Sequence, residues 1–492
     1  MVTQAGISPD PAISPINVRS VASELSVTGE KIADTRGQIS WALVEFARSP
    51  YLSLVYIFVF PAYFANTIIG DPVRGQEAWG FANTLVGICV AILAPFIGAI
   101  SDRMGGRKPW QIGIVAVMAP CCCALWYAMP GAQGGLSVNT ILLLIVILAS
   151  CFQFSDVFQN SILPSIAGPD RIGRLSGIGI SVGNAGTLVA LIVMLFGVAL
   201  PASGVTMGGL LPDHPLFGLN PATHEHERIA GPVAGIWLVI FIIPFLLWTP
   251  DRPSTGLSAG QAIREGLNQV WMTLRRARQI SNVGLYLLAR MLYTDGKVAI
   301  LAYTGIYASG VFHWDLATLL LFAILLSPFS IAGGLIGGWL DGMVGSRRAI
   351  QIVVCATCIE MIAAVSITRD QIFFMPYDTA GSAVLWSLPY FQTLPELSYL
   401  AITTLLAITI TAAFSISRTM MARIAPISMM SQFFGLYALS GTATAFLGHA
   451  SVTFFTGLFH SQRAGFASTI ILLIAGLVLM HWVREERAAA IA

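Results

Sequence analysis

Long apolar runs separated by short polar stretches set the pattern of this chain. They fall near 41–68, 79–100, 110–129, 138–163, 174–200, 231–249, 282–311, 315–340, 349–368, 398–417, 431–457 and 464–483. A helix rises about 1.5 Å per residue, so runs of roughly 20 residues match a hydrocarbon layer of about 30 Å. The pattern predicts an all-α membrane protein with twelve transmembrane helices. Residues 1–37 are polar, with prolines and mixed charges but no apolar core. They read as a disordered cytoplasmic tail, not a cleaved signal peptide. Between the sixth and seventh runs, Ile263, Leu267, Val270 and Leu274 recur at helical spacing beside Arg264, Arg275, Arg276 and Arg278. Segment 250–281 is therefore expected to be a cytoplasmic linker with an amphipathic helix on the membrane surface.

A repeat divides the runs into two sets of six. "GAISDRMGGRK" (98–108) follows the second run and "GGWLDGMVGSRR" (337–348) follows the eighth. Each has a Gly, an Asp four residues later, another Gly and two cations, and Asp102 and Asp341 lie 239 positions apart. This spacing predicts two halves related by duplication, 38–249 and 282–484, followed by a short cytoplasmic tail, 485–492. Parallel halves of this kind resemble the major facilitator fold. Gly98, Asp102, Arg103, Gly105, Arg107 and Lys108, with Asp341, Arg347 and Arg348, are candidate gating residues. An Asp at a helix end beside a tight turn can cap a neighbouring helix or pair within the bundle. The bland alternative is that these cations only enforce topology.

Composition and charge narrow the class. Of 492 residues, 56% are hydrophobic and 10% charged, against about 25% charged in soluble domains. The net charge of +2 gives no case for a nucleic-acid partner. Most of the 26 Lys and Arg residues fall on one side of the predicted topology, and Arg74, Arg228, Arg369 and Arg463 fall on the other. The positive-inside rule then places both termini in the cytoplasm, and the expected location is the cell (inner) membrane. The seven cysteines lie in apolar runs and read as packing residues. His224 and His226 read as solvated loop histidines. No metal site, cofactor site or nucleophile–base set is expected, so the chain is not read as an enzyme.

Ionisable residues inside predicted spans are the candidate chemistry, since each costs roughly 2.5–3.5 kcal/mol at a helix centre. Glu45 and Arg48 lie one turn apart in span one. In span four, Asp156 sits in a polar stripe with Gln153, Gln159 and Asn160. Span seven carries Arg290 and Lys297 on one face with Tyr293 between them, and Asp295 falls roughly 140° away on an ideal helix. Gly296 is a point where that helix could unwind and bring Asp295 round. Arg48, Arg290 and Lys297 suit an anionic group; Glu45, Asp156 and Asp295 suit an ammonium group or a coupling proton, Asp156 first. Purely structural ion pairs are the competing account. Span ten offers Thr409, Thr411 and Ser415, and Glu360 in span nine lies off the expected cavity face.

Several stretches resemble the "unknown major facilitator" family, bacterial relatives of vacuolar autophagy-related amino-acid effluxers. They are "ISWALVEFARSPYLSLVYIFVFPAYF" (39–64), "DVFQNSILPSIAGPDRIGRLSGIGISVGNAG" (156–186), "MLYTDGKVAI" (291–300) and "SQFFGLYALSG" (431–441). The resemblance covers about 39–485 and implies small-solute transport, with spans one, four, seven and ten lining a central cavity. Relative to the family pattern, Glu45 stands where Asp is usual, Arg48 where Asn is usual, and Arg290 and Lys297 are extra cations. These departures point to a specialised substrate. The leading expectation is a secondary transporter working as a monomer by alternating access on a small organic anion or zwitterion, with protons or sodium as candidate coupling ions. "GGRKPW" also resembles cation-coupled glycoside symporters, so a sugar or sugar-acid symporter is one alternative. A non-transporting receptor or lipid-handling protein on the same fold is another.

Overall fold

The computed structural model describes residues 26, 31–104, 106–131, 134–168, 171–204, 212, 214–251, 260–261, 264, 281–379, 383–425, 437, 440–441 and 444–485, with the backbone alone at 94–96, 98–104, 172–173 and 281. The predicted amphipathic linker helix, most of the N-terminal tail and residues 486–492 lie outside the described residues. So do Gly105 and the side chains of Asp102 and Arg103.

The first half contains α1 (Thr35–Ile68, part α-helical and part π-helical), α2 (Pro72–Met104), α3 (Lys108–Ala124), α4 (Val138–Ile166), α5 (Ile172–Met194) and α6 (Ala230–Trp248). The second contains α7 (Ser281–Phe312), α8 (Leu316–Val344), α9 (Ser346–Val365), α10 (Leu394–Ile424), α11 (Phe446–Phe459) and α12 (Thr469–Met480). Among the described residues, ten helical segments are long and apolar enough to cross a membrane. The other two expected spans are α7, whose 32 residues include Arg290, Asp295 and Lys297, and α11, described over 14 residues.

Local chemistry fixes several helix starts. Ser137 caps α4, Asp315 caps α8, and Thr393 forms a capping box with Glu396 at α10. The first helix begins earlier than expected. Asp34 accepts from Gly37 N–H at 2.7 Å and starts α1 at Thr35, within the stretch read as tail. Ala33 is also buried, and its N–H bonds the carbonyl of Ile166.

Packing repeats with an offset of six helices. Contacts of α1 with α6, α2 with α4, and α3 with α6 recur as α7 with α12, α8 with α10, and α9 with α12. This is the two-half arrangement expected from the motif repeat. The halves meet mainly along α2 and α11, where a Cβ added at Gly87 would lie 2.5 Å from the backbone nitrogen of Phe446. Among the described residues, hydrogen bonds joining the halves lie toward the side opposite the termini, here called the far side. Gln76 donates to Thr456 at 2.8 Å and to the Gln462 carbonyl, and Gln462 donates to the Pro72 carbonyl.

Candidate functional site

The ionisable residues form two groups with different degrees of charge balance. In the first half, Arg48 is 2% exposed and its Nη2 donates to Glu45 Oε2 at 2.9 Å and Asp156 Oδ1 at 3.1 Å. Its guanidinium carbon lies 5.1 Å from the Phe152 ring centre. Asn160 donates to the other oxygen of Asp156 at 3.0 Å. One cation thus joins carboxylates from α1 and α4, which remain 28% and 45% exposed. Arg48 still has Nε and Nη1 without a hydrogen-bond partner among the described residues.

The predicted polar stripe on α4 splits. Asp156 and Asn160 join the Arg48 group, whereas Gln159 is buried and exchanges hydrogen bonds with the Trp41 backbone and indole across the α1–α4 contact. Gln159 therefore pins two helices instead of sharing the Asp156 environment. Gln153 is half-buried. Nearby, Ser49 donates to the Gly183 carbonyl, fastening α1 to α5.

Around α7, the described residues of the second half show no equivalent balance. Arg290 donates from Nη1 to the Tyr437 carbonyl at 2.7 Å and to the Ser440 hydroxyl. Its guanidinium also stacks 3.5 Å from the Tyr437 ring centre. Lys297 is fully buried, and its Nζ has no hydrogen-bond partner among the described residues. That ammonium lies 3.8 Å from the Phe414 ring centre and 5.0 Å from that of Tyr293, a cation–π arrangement. The Tyr293 hydroxyl is paired with Ser417 at 2.8 Å, so this ring belongs to a fixed α7–α10 contact. Asp295 is 1% exposed, with neither carboxylate oxygen hydrogen-bonded among the described residues.

Gly296, the point where the helix could unwind, keeps its helical conformation. Helix α7 runs unbroken from Ser281 to Phe312. Gly296 packs against Leu473 and the Thr469 carbonyl of α12, while the Asp295 carbonyl abuts Gly448 of α11. Successive residues on an α-helix point about 100° apart, so this tight packing holds Asp295 and Lys297 in different directions. They form no ion pair. Glu360 also finds a structural role: it accepts from Thr409 at 2.6 Å, joining α9 to α10. Thr411 similarly pairs with Ser330 of α8.

At the terminal side, the residues of the repeated motif have partners the sequence pattern did not single out. Asp251, just after α6, accepts from the backbone N–H groups of Arg107 and Lys108 at 2.9 Å, and Lys108 Nζ donates to the Leu246 carbonyl at 2.8 Å. In the second half, Glu485 after α12 accepts from the N–H groups of Ser346 and Arg347 at 3.0 and 3.1 Å. Arg347 Nη2 donates to the His481 carbonyl at 2.5 Å. The carboxylates cap N–H groups that have no intrahelical acceptor at the starts of α3 and α9. Asp341 accepts from Arg423 at 2.9 Å, and the same guanidinium donates to Glu485 at 2.5 Å. Partial burial pushes the Glu485 carboxyl up, but hydrogen bonds from Arg347, Arg423 and Ser346 outweigh it and hold it below the usual glutamate range. The available sequence signal was positional: Asp251 and Glu485 are 234 residues apart, near the 239-residue motif offset.

Comparisons with known proteins agree with this architecture. The family model described as "Vacuole effluxer Atg22 like" matches residues 81–492. An uncharacterised MFS-type transporter, YxiO of Bacillus subtilis, is 22% identical over 92% of this chain and 96% of its own length. Autophagy-related protein 22 of Yarrowia lipolytica is 22% identical over 64% of this chain and 51% of that protein. Among solved structures, a D-xylose–proton symporter superposes with a TM-score of 0.61 at 13% identity, covering 91% of this chain and 97% of the other.

Proposed function

The chain belongs to the vacuole effluxer Atg22-like family and is a membrane transporter of the major facilitator type, and from that premise we propose that it carries a small organic anion or zwitterion by alternating access. The observation that carries this reading is the contrast between Arg48, which has two carboxylate partners, and buried Lys297, which has no hydrogen-bond partner among the described residues. A carboxylate or sulfonate meeting Lys297 supplies the missing counter-charge. Arg48 has two further donors, Nε and Nη1, without a described partner. Glu45 and Asp156 remain partly exposed and offer acceptors for the ammonium of a zwitterion or for a coupling proton. Far-side hydrogen bonds between the halves, together with these exposed carboxylates, support a pathway open toward the terminal side. The Lys and Arg distribution supports placing that side in the cytoplasm.

The test is a thermal-shift panel on detergent-purified protein with carboxylates, sulfonates, amino acids, betaines, neutral sugars and lipid amphiphiles. A ligand at 100 times its dissociation constant stabilises by about 2.7 kcal/mol. Anions or zwitterions should give a shift that disappears in Lys297→Ala. A response confined to sugars favours the sugar-symporter reading, and one confined to lipid amphiphiles favours lipid handling. Either result overturns the proposed substrate class.

A further inference from the structure

The far-side seam contains a buried imidazole between hydroxyls from opposite halves. His449 on α11 is 4% exposed. Its Nε2 lies 3.4 Å from the Tyr56 hydroxyl of α1, and its Nδ1 lies 3.1 Å from the Tyr303 hydroxyl of α7. Tyr56 belongs to the first half, whereas Tyr303 and His449 belong to the second. The hydrogen bonds that Gln76 and Gln462 make between the halves use amide, hydroxyl and carbonyl groups that do not titrate.

We infer that His449 is a proton-binding site whose protonation from the far side opens the seam between the halves. The inference rests on the alternating-access reading and adds a ligand, the proton, at a residue outside the Arg48 and Lys297 groups. A neutral imidazole can satisfy both tyrosines: its N–H donates to one oxygen, and its bare nitrogen accepts from the other hydroxyl. An imidazolium has two donors and no acceptor, so the tyrosine that was donating loses its acceptor. The added charge is also buried at a cost unless a counter-charge faces it.

The surrounding elements do not place a carboxylate in an ion pair with His449 among the described residues. Helix α1 contributes Tyr56, and α7 contributes Tyr303 at the ring. Further along α7, Lys297 lies against Phe414, while Asp295 meets neighbouring Gly448 through its backbone carbonyl. Helix α2 places Glu77 beside Gly457, two turns along α11. The approach from α12 is neutral, through the Ser468–Ser451 hydrogen bond. Protonation therefore favours a state in which Tyr56 moves away with its half and water reaches the ring. The proton comes from far-side water and returns to water when the ring is stripped of it.

Double electron–electron resonance can read this opening without a substrate. Nitroxides are placed at Arg74→Cys and Phe459→Cys, exposed sites on opposite halves, in full-length protein with its seven native cysteines replaced and reconstituted in nanodiscs. The label separation should increase between pH 8 and pH 5, and His449→Gln should abolish that change. Tyr56→Phe, which removes the partner from the opposite half, should move the opening to higher pH. An unchanged pH response in His449→Gln overturns the inference, as does a wild-type seam that stays closed at pH 5. Gly87→Trp supplies an open reference, because even a Cβ there meets the Phe446 backbone. If that variant opens while low pH has no effect, the proton site fails and alternating access stands. If it also stays closed, the alternating-access reading fails with it.

Discussion

Removing both carboxylates from Arg48 should cost more than the sum of removing each one. The guanidinium is 2% exposed and has Glu45 at 2.9 Å and Asp156 at 3.1 Å. In Asp156→Asn, Glu45 still neutralises the cation, and partial exposure of the missing acid's site limits the loss. About 1 kcal/mol is expected, below the roughly 1.5–3 kcal/mol of a hydrogen bond to a charged group because Asp156 is 45% exposed. Glu45→Gln should cost a similar amount. The double variant leaves a buried cation without a carboxylate partner, for which losses of about 3–5 kcal/mol are usual. Adding Arg48→Met should recover much of that loss by removing the stranded charge. Thermal unfolding in one detergent, followed by tryptophan fluorescence, would rank the five proteins. A double variant no less stable than the sum of the singles, or one not rescued by Arg48→Met, would refute the charge-balanced triad.

Lys297→Met should raise the unfolding temperature while eliminating the anion-dependent shift, because a buried ammonium without a hydrogen-bond partner is replaced by an apolar chain of similar length. A variant less stable than wild type would count against that account. Glu485→Gln should destabilise the protein at pH 7 by about 1–2 kcal/mol through loss of the α9 cap. The folded carboxyl lies below its unfolded value of about 4.3, so its stabilisation is full above that value and disappears as pH falls through the folded value. The gap from wild type should therefore close below about pH 4; a constant gap across the titration would contradict the carboxylate's role. Glu360→Gln should lower stability by about 1 kcal/mol through its weakened bond from Thr409, yet leave the anion response intact. Loss of that response would place Glu360 in the transport pathway.

The hydrophobic pattern by itself determined the helical membrane class and the approximate positions of the spans, since a segment's preference for the bilayer depends mainly on its own composition. The Asp102 and Asp341 motifs also disclosed the duplication, and the charges in spans one, four and seven marked the candidate chemistry. Partner choice was different, because it depends on how each helix is rotated and how closely its neighbours approach. Arg48 could be matched with Glu45 from sequence spacing, but only the packing of α1 on α4 brought Asp156 to the same guanidinium. Asp295 and Lys297 are two residues apart, yet Gly296 against α12 and Gly448 against α7 hold them in separate surroundings. The same dependence explains Asp251 and Glu485: each lies outside its repeated motif in sequence, and the fold of each half brings it to the N–H groups at the start of α3 or α9. Sequence fixes which groups must find partners inside the membrane, whereas three-dimensional packing decides which partners their helices can reach.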